Sequence, residues 1–379
     1  MVDTTAVLCA ASPLWSAISA GVAGLLALCA TWWLTASVRA WALRRAVLAI
    51  PNERSLHTAP TPRGGGLAIV VVVLAVEALL LSTACIEWRT GAATWLASLC
   101  LALIGMRDDM QSMSARSRLL LQLLVSICWT LWLMRTTHAG LSAPSALLVD
   151  ALVAASSVVG IVWMVNLYNF MDGSDGLAAV QAIGAGMFGA GLALWLGDVS
   201  TAAIAFALAA SSAGFLCLNW HPAKVFMGDV GAYFLGGQFA MLAAAHFIAG
   251  QSQDSAALSV RAVLAHLPWL WLILLAPFIV DATLTLLLRI MRREKLADAH
   301  RSHAFQLLAL AGWSHERIAL GLIALLATVC LPLAAITVWH AALAPYAAAT
   351  AYGLLGAIWL SIRAHARRRQ GDAPGGTEN

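Results

Sequence analysis

The chain has 379 residues, of which 61% are apolar and only 11% charged, with a formal net charge of +4. An ordinary soluble domain carries about 25% charged residues, so this composition cannot cover a soluble surface, and the small net charge offers a polyanion little. A soluble enzyme, a disordered chain and a nucleic-acid binder are excluded, which leaves an all-α polytopic integral membrane helical bundle, with a lipid bilayer as its solvent.

Apolar stretches long enough to cross a ~30 Å hydrocarbon core are predicted at 14–38, 67–84, 92–106, 119–134, 147–167, 177–197, 201–218, 231–249, 263–285, 317–339 and 341–362, about eleven transmembrane helices. The divisions inside 177–218 and 317–362 are the least marked. The first basic residue, Arg39, lies beyond the first apolar stretch, so no cleaved signal peptide is expected. Of the 22 Lys and Arg residues, nineteen fall in one alternating set of connections, and Arg89, Arg135 and Arg261 in the other. The positive-inside rule makes the richer side cytoplasmic, with the N-terminus out and the C-terminus in. Residues 1–362 read as the transmembrane domain with cytoplasmic active-site loops. Residues 363–379 read as a basic, then Gly/Pro-rich cytoplasmic tail, expected to be loose. The seven Cys are odd in number, lack C-x-x-C and read as small packing residues. Gly184–Gly189 matches G-x-G-x-x-G, but no strand precedes it; close helix packing explains it better than dinucleotide binding.

Although basic residues alone set this topology, five polar clusters converge on its cytoplasmic side. The first, Pro51 to Gly66, is rich in Pro and Gly; either it is an entry loop, or its glycine N–H groups and Arg63 hold phosphate. In the second, Asp108 and Asp109 stand adjacent at a helix end. That local charge calls for a divalent metal, a shared proton or an Arg, with Arg107, Arg116 and Arg118 as candidates. The third packs Asn166, Asn169, Asp172, Gly173, Asp175 and Gly176 directly after an apolar helix, where a merely structural turn would need fewer polar groups. Amides suit a base or sugar edge, and carboxylates a metal or ribose hydroxyls. In the fourth, Asn219 to Asp229, Phe226 could stack on a base, Lys224 meet a phosphate and Asp229 bind Mg²⁺; a short loop with an N-capping Asp is the alternative. The fifth runs from Asp298 to Gln306 and carries His300, Arg301 and His303. Of the polar residues in or beside spans, Glu77, Asp150, His246 and His266 fit helix packing or the outer boundary, and Asp281 lies near enough to the cytoplasmic face to join the site.

The strings P-x-x-R-S-x-H-x-x-P-T-P-R-G-G-G, G-x-x-D-D, N-x-x-N-x-x-D-G-x-D-G-L, P-A-K-V-F-M-G-D-x-G and H-R-S-H occur in this order over roughly residues 45–310. Together they resemble the polyprenyl-phosphate N-acetylhexosamine-1-phosphate transferases, the superfamily of the phospho-N-acetylmuramoyl-pentapeptide transferase. The resemblance implies a bacterial inner-membrane enzyme in which undecaprenyl phosphate attacks the β-phosphorus of a UDP-N-acetyl sugar and UMP leaves. It implies Mg²⁺, with Mn²⁺ as a substitute, and admits a homodimer. By motif it makes Asp229 the foremost metal ligand, with Asp172 beside it, and Asp108 the group that orients or deprotonates the lipid phosphate, next to Asp109. Asn166, Asn169, Asp172 and Asp175 would line the nucleotide and metal region. Phe226 would pack on uracil with Asn219 at the same pocket, and Arg63, Lys224, His300 and Arg301 would meet substrate. His303 would be a catalytic His of the late motif.

Members that use N-acetylglucosamine or muramoyl-pentapeptide usually carry adjacent His residues late in the chain, whereas this chain has His303-Ala304-Phe305-Gln306. That form resembles members that begin O-antigen or related glycans with 6-deoxy sugars, N-acetylfucosamine or N-acetylquinovosamine. Two rivals from other classes fit less well. A CDP-alcohol phosphotransferase needs a D-G-x-x-A-R signature that is missing here, and a secondary transporter would place its polar groups at the midplane.

Overall fold

The computed structural model describes residues 13–49, 60–137, 147–250, 267–295 and 300–371. His57, Arg54, Arg261, His266, Asp298, Cys9 and the rest of the Pro51–Ala59 stretch lie outside them. The described chain is helical apart from a two-residue ladder. Its elements are α1 Pro13–Arg44, β1 Leu48–Ala49, β2 Thr61–Pro62, α2 Leu67–Ser82, α3 Trp88–Met110, α4 Ala115–Thr137, α5 Leu147–Met171, α6 Leu177–Trp195, α7 Val199–Asn219, α8 Gly228–Ala249, α9 Leu267–Leu274, α10 Ala276–Met291, α11 Ala304–Leu310, α12 His315–Leu325, α13 Leu331–Trp339 and α14 Ala344–Gly371.

Among the described residues, nine helical stretches are long and apolar enough to cross a membrane, and the pair α9 and α10, bent by 66°, would make a tenth. The shorter α2, 16 residues, is also apolar. Each of the eleven expected stretches therefore coincides with a helix or a broken helix, including the two least marked divisions, which break at Leu196–Asp198 and near His340. Breaks within the others have local causes. Pro277 opens α10, where its missing N–H is harmless. Pro332 follows a π-helical turn at Leu326–Cys330 that joins α12 to α13, as expected where a ring displaces the carbonyl of the preceding turn. The expected end at residue 362 is corrected: α14 runs on through Gly371, so the basic half of the expected loose tail is helical.

The core is built around α8, which packs on α3 and α5 and is the most buried of the spanning helices. Its glycines allow that approach. A Cβ on Gly236 would lie 2.7 Å from the Met164 carbonyl oxygen of α5, and one on Gly231 would lie 2.8 Å from Gly66 Cα. The outer helices α1 and α4 instead present Leu25, Leu26 and Trp33, and Leu120, Leu124 and Leu131, outward. In water such a surface would be an aggregation hazard; against acyl chains it costs nothing. The 184–189 glycines do pack closely, Gly186 against α7 and Gly189 against Trp271.

The two ends of the bundle differ. At one end Asp198 caps α7 by accepting from Thr201 N–H, and His246 Nε2 lies 3.0 Å from the Asp198 carboxylate. Glu77 sits within the bundle and accepts from Gln238 Nε2 at 2.7 Å. Both are packing contacts of the kind expected for these residues. The carboxylates, amides and histidines of the five sequence clusters gather at the opposite end.

Candidate active site

The site is organised by the N-terminus of α8. Gly228 precedes Asp229 with φ +79°, a left-handed conformation open to Gly, and a Cβ there would lie 2.7 Å from Asp109 Oδ2. The turn exposes the first N–H groups of α8, and Asp109 accepts from two of them: Asp229 N–H to Oδ1 and Val230 N–H to Oδ2, both at 3.0 Å. Asp109, in the last turn of α3, thus caps a different helix through space, a favourable place for a carboxylate. The backbones meet here as well: a Cβ on Gly105 would lie 2.4 Å from the Asp229 carbonyl oxygen. Such atoms cannot rotate aside, so Gly105→Ala must separate α3 from α8. Its expected result is a lower melting temperature in detergent and a transfer rate reduced by about a hundredfold, the cost of misplacing a catalytic group by an ångström. A wild-type rate would show that Asp229 does not depend on this contact.

The adjacent carboxylates of α3 are relieved by two arginines. Asp109 faces Arg63, whose Nε lies 2.8 Å from Oδ1, and Arg63 Nη2 donates to Asp229 Oδ1 at 2.9 Å. Asp108 turns toward α4: Arg118 Nη1 donates to Oδ2 at 2.8 Å, Tyr233 Oη donates to the same oxygen at 3.1 Å, and Met113 N–H donates to Oδ1 at 2.8 Å. Of the three arginines considered for Asp108, Arg118 is its partner; Arg107 instead donates to Gln111 and Arg116 is exposed. Burial works against the charge of Arg63, yet Asp109, Asp229, Asp172 and Asp108 around it hold its pKa above the ordinary guanidinium value.

The Gly64-Gly65-Gly66 run does not act as the sequence suggested. Gly65 N–H donates to Phe226 O and Gly66 N–H to Met227 O, both at 2.9 Å, so neither is open to phosphate. Phe226 N–H donates to Pro62 O at 2.8 Å. The run is a ladder that aligns Arg63 and Phe226, and its glycines are there for contact: a Cβ on Gly65 would meet Phe215 and Val225 at 2.8 Å.

Between α5 and α6 the 172–176 loop brings Asp172 to this cluster. Burial first, then the negative charge of Asp229, pushes the Asp172 carboxyl well above the ordinary range; Arg63 opposes this and Asp109 adds to it. The side chain of Asn169 is half-buried and has no hydrogen bond within the described residues. Asn166 lies a turn deeper in α5, where its amide donates to Gln122 Oε1 and Val162 O, both at 2.7 Å, and so joins α5 to α4. Asn219 is also a brace. Its Oδ1 accepts from Gly176 N–H at 3.0 Å and its Nδ2 donates to Val225 O at 2.8 Å, tying two motif loops together. Asp175 Oδ2 accepts from His221 Nδ1 at 2.7 Å and from Ala223 N–H at 3.1 Å. Lys224 is exposed beside them, its carbonyl accepting from Arg39 Nε.

The late His cluster adjoins the same end. Asp281 joins it: its Oδ1 accepts from Ala304 N–H at 2.8 Å and from Thr285 Oγ1 at 3.2 Å, and lies 3.7 Å from His303 Nδ1. His303 is buried, its ring 6.2 Å from Phe170, 5.9 Å from Phe305 and 5.0 Å from His300. His300 pairs through Nδ1 with Ser302 Oγ, and Arg301 is half-buried between them. Arg363 of α14 donates to Ser302 O at 2.7 Å, which anchors the loop. Phe170 and Phe305, which is 3.0 Å from where a Gly173 Cβ would stand, connect this cluster to the 172–176 loop.

Among the described residues, no three His, Cys, Asp or Glu side chains form a ready metal cage. Mg²⁺ does not require one, since it commonly takes one or two carboxylates and completes its shell with water and substrate phosphates. Asp172 and Asp229 fit that role: burial, and after it the charge of Asp229, raises the Asp172 carboxyl, and a cation between them would oppose both. Sequence reasoning missed Tyr233, His221 and His315. Tyr233 lies one helical turn after Asp229, and that i,i+4 spacing was its only available signal.

Fold and site together define a multi-pass membrane enzyme that handles phosphate at one end of a helical bundle. Residues 92–246 match the family described as Glycosyl transferase family 4. The chain is 32% identical over 317 residues, covering 78% of it and 77% of the relative, to a decaprenyl-phosphate N-acetylglucosaminephosphotransferase of Mycobacterium tuberculosis. It is 29% identical over 285 residues, 75% of each chain, to a probable undecaprenyl-phosphate N-acetylglucosaminyl 1-phosphate transferase of Bacillus subtilis. A phospho-N-acetylmuramoyl-pentapeptide-transferase of Symbiobacterium thermophilum is 32% identical over 170 residues, 42% of this chain and 43% of that one. The chain belongs to glycosyl transferase family 4, among its polyprenyl-phosphate hexosamine-1-phosphate transferases.

Proposed function

We propose that the protein transfers an N-acetylhexosamine 1-phosphate from a UDP-sugar to undecaprenyl phosphate at the cytoplasmic face of a bacterial inner membrane. The observation that carries this reading is the convergence of Arg63, Asp109, Asp172 and Asp229 at the head of α8, beside half-buried Phe226. An oxygen of the lipid phosphate forms a new bond to the β-phosphorus of the donor. The bond from that phosphorus to the bridging oxygen breaks, and UMP leaves with the electron pair. A phosphate monoester is already largely dianionic at neutral pH, so the acceptor needs positioning more than deprotonation. Asp108 suits that role, since its oxygens already accept from Arg118, Tyr233 and Met113. Asp172 and Asp229 would hold Mg²⁺, which when bound supplies the positive charge that lets two anionic substrates meet. Arg63 aims Asp229 through its hydrogen bond to Oδ1. Beside the His303 loop, a cavity of about 510 Å³ lined by Met171, Phe278, Phe305, Trp313 and Trp359 is apolar enough to take the first isoprene units of the lipid.

The donor reading favours a 6-deoxy N-acetylhexosamine and a role in starting O-antigen or a related surface glycan; its support is the His303-Ala304-Phe305-Gln306 form. N-acetylglucosamine is the second reading, favoured by the names of the Bacillus and Mycobacterium relatives. Protein in detergent, given undecaprenyl phosphate, Mg²⁺ and one UDP-N-acetyl sugar at a time, is expected to release UMP, and to stop on addition of EDTA. Release of UDP instead would mean transfer at the anomeric carbon and would end the proposal. The panel of glucosamine, galactosamine, quinovosamine and fucosamine donors decides the sugar.

A further inference from the structure

The 172–176 loop is held from outside by two histidines that belong to none of the five motifs as catalytic groups. His315 is the first residue of α12, and His221 lies in the α7–α8 connection. Their rings stack nearly parallel, 5.1 Å apart at 11°. His315 Nδ1 accepts from Asp175 N–H at 3.2 Å and lies 2.8 Å from Ser174 Oγ. A backbone N–H can only donate, so Nδ1 carries the lone pair and the ring proton sits on Nε2. On the other ring, His221 Nδ1 faces Asp175 Oδ2 at 2.7 Å, and a carboxylate only accepts, so that Nδ1 carries its proton. One imidazole thus grips the backbone of Asp175 and the other its side chain.

The other restraints lie at the two ends of the loop and on its carboxylates: Asp172 N–H donates to Tyr168 O and Leu177 N–H to Ser174 O, Asn219 holds Gly176, Gly228 N–H donates to the Asp172 carboxylate and Ala223 N–H to that of Asp175. Glycines at 173 and 176 leave the backbone free to take other conformations. The Gly228 contact ties Asp172 to the head of α8, and the two imidazoles fix the Ser174–Asp175 half of the same loop.

We propose that His315 is a positioning residue for the donor side of the reaction: stacked on His221, it holds Ser174 and Asp175 and so fixes the 172–176 loop in the form in which Asp172 meets the UDP-sugar. This rests on the reading of that loop as the nucleotide and metal side. His315 touches no substrate; it acts through Ser174 and Asp175.

The test compares His315→Phe, which keeps a stacking ring but loses the acceptor, with His315→Asn, whose Oδ1 can accept near the place of Nδ1. His315→Phe is expected to raise the KM for UDP-sugar about tenfold while changing the KM for undecaprenyl phosphate less than about twofold, and His315→Asn to recover most of that loss. Hydrogen exchange at Asp175 and Gly176 should quicken in the Phe protein and not in the Asn protein. Unchanged exchange in the Phe protein, or an Asn protein as impaired as the Phe protein, overturns the proposal. Should His315→Phe fail to fold, Ser174→Ala removes one of the groups held by His315 Nδ1 and is expected to raise the same KM about threefold; no change overturns the proposal. The exchange readout needs no turnover. A wild-type protein that released no UMP would sink the transfer reading and leave the brace to be decided by exchange alone, and a rise confined to the lipid KM would sink the assignment of the loop to the donor.

Discussion

Asp229→Asn is expected to slow transfer by roughly a hundred- to a thousandfold while leaving the melting temperature in detergent near that of wild type. The asymmetry comes from how Asp229 is used. Its backbone N–H is part of the α8 cap, donated to Asp109, whereas its side chain meets Arg63 and Asp108 in the open end of the site. An Asn at this position keeps the backbone contact and can still accept from Arg63 through its amide oxygen. What it loses is the charge, which is the property that would bind Mg²⁺. Asp109→Asn should behave differently. The Asp109 carboxylate satisfies two N–H groups and faces Arg63, so an amide must set its NH₂ against one of these donors. Helix caps are typically worth ~1 kcal/mol, and weakening the ion pair with the half-exposed Arg63 adds to that loss. The melting temperature and the rate should therefore fall together. Thermal scans of both variants beside UMP release separate the two roles; equal melting losses would show that Asp229 is structural.

The Mg²⁺ concentration that half-saturates transfer is expected to fall as pH rises, by up to about tenfold per pH unit while Asp172 remains protonated. Burial and the charge of Asp229 raise the folded-state pKa of this loop carboxyl well above the ordinary range. The folded protein therefore holds a proton where the unfolded chain has released it, and that proton competes with the cation. Raising pH removes the competitor, so metal affinity grows. For the same reason the metal-free protein should lose stability as pH rises from the ordinary Asp range toward the folded pKa of Asp172, and Mg²⁺ should restore it. Mg²⁺ titrations at several pH values check the first statement and melting curves with EDTA the second. Asp172→Asn should flatten both dependences; a pH dependence that survives it assigns the competing proton elsewhere.

Much of the architecture was legible because membrane insertion leaves a strong one-dimensional signal. Uninterrupted apolar runs near the thickness of a bilayer place the helices wherever they occur, and Asn, Asp, Gly and His clustered between them mark where chemistry concentrates. The sequence also indicated that Asp108 and Asp109 needed a counter-charge. It could not say that Arg118 takes one and Arg63 the other, because those partners lie ten and 46 positions away, and only the packing of α3 against α4 and α8 brings them close. The glycine run illustrates the limit. Composition made its N–H groups look free, whereas in the fold they are donated to Phe226 and Met227.

Residue types and their order therefore determined an all-α membrane bundle, the polar clusters and the motifs that resemble a sugar-phosphate transferase. Local chemistry is enough for that, since hydrophobicity, turn preference and charge are properties of short stretches. Tertiary structure alone decided which motif residues face an open site and which hold it together. Asn219 and Asp175 became braces, Asp109 became the cap of a helix more than a hundred residues away, and His221 and His315, distant in sequence, became a stacked pair. The physical reason is that a hydrogen-bonding group has no fixed role until its partner is in place, and here those partners arrive only when separate helices pack.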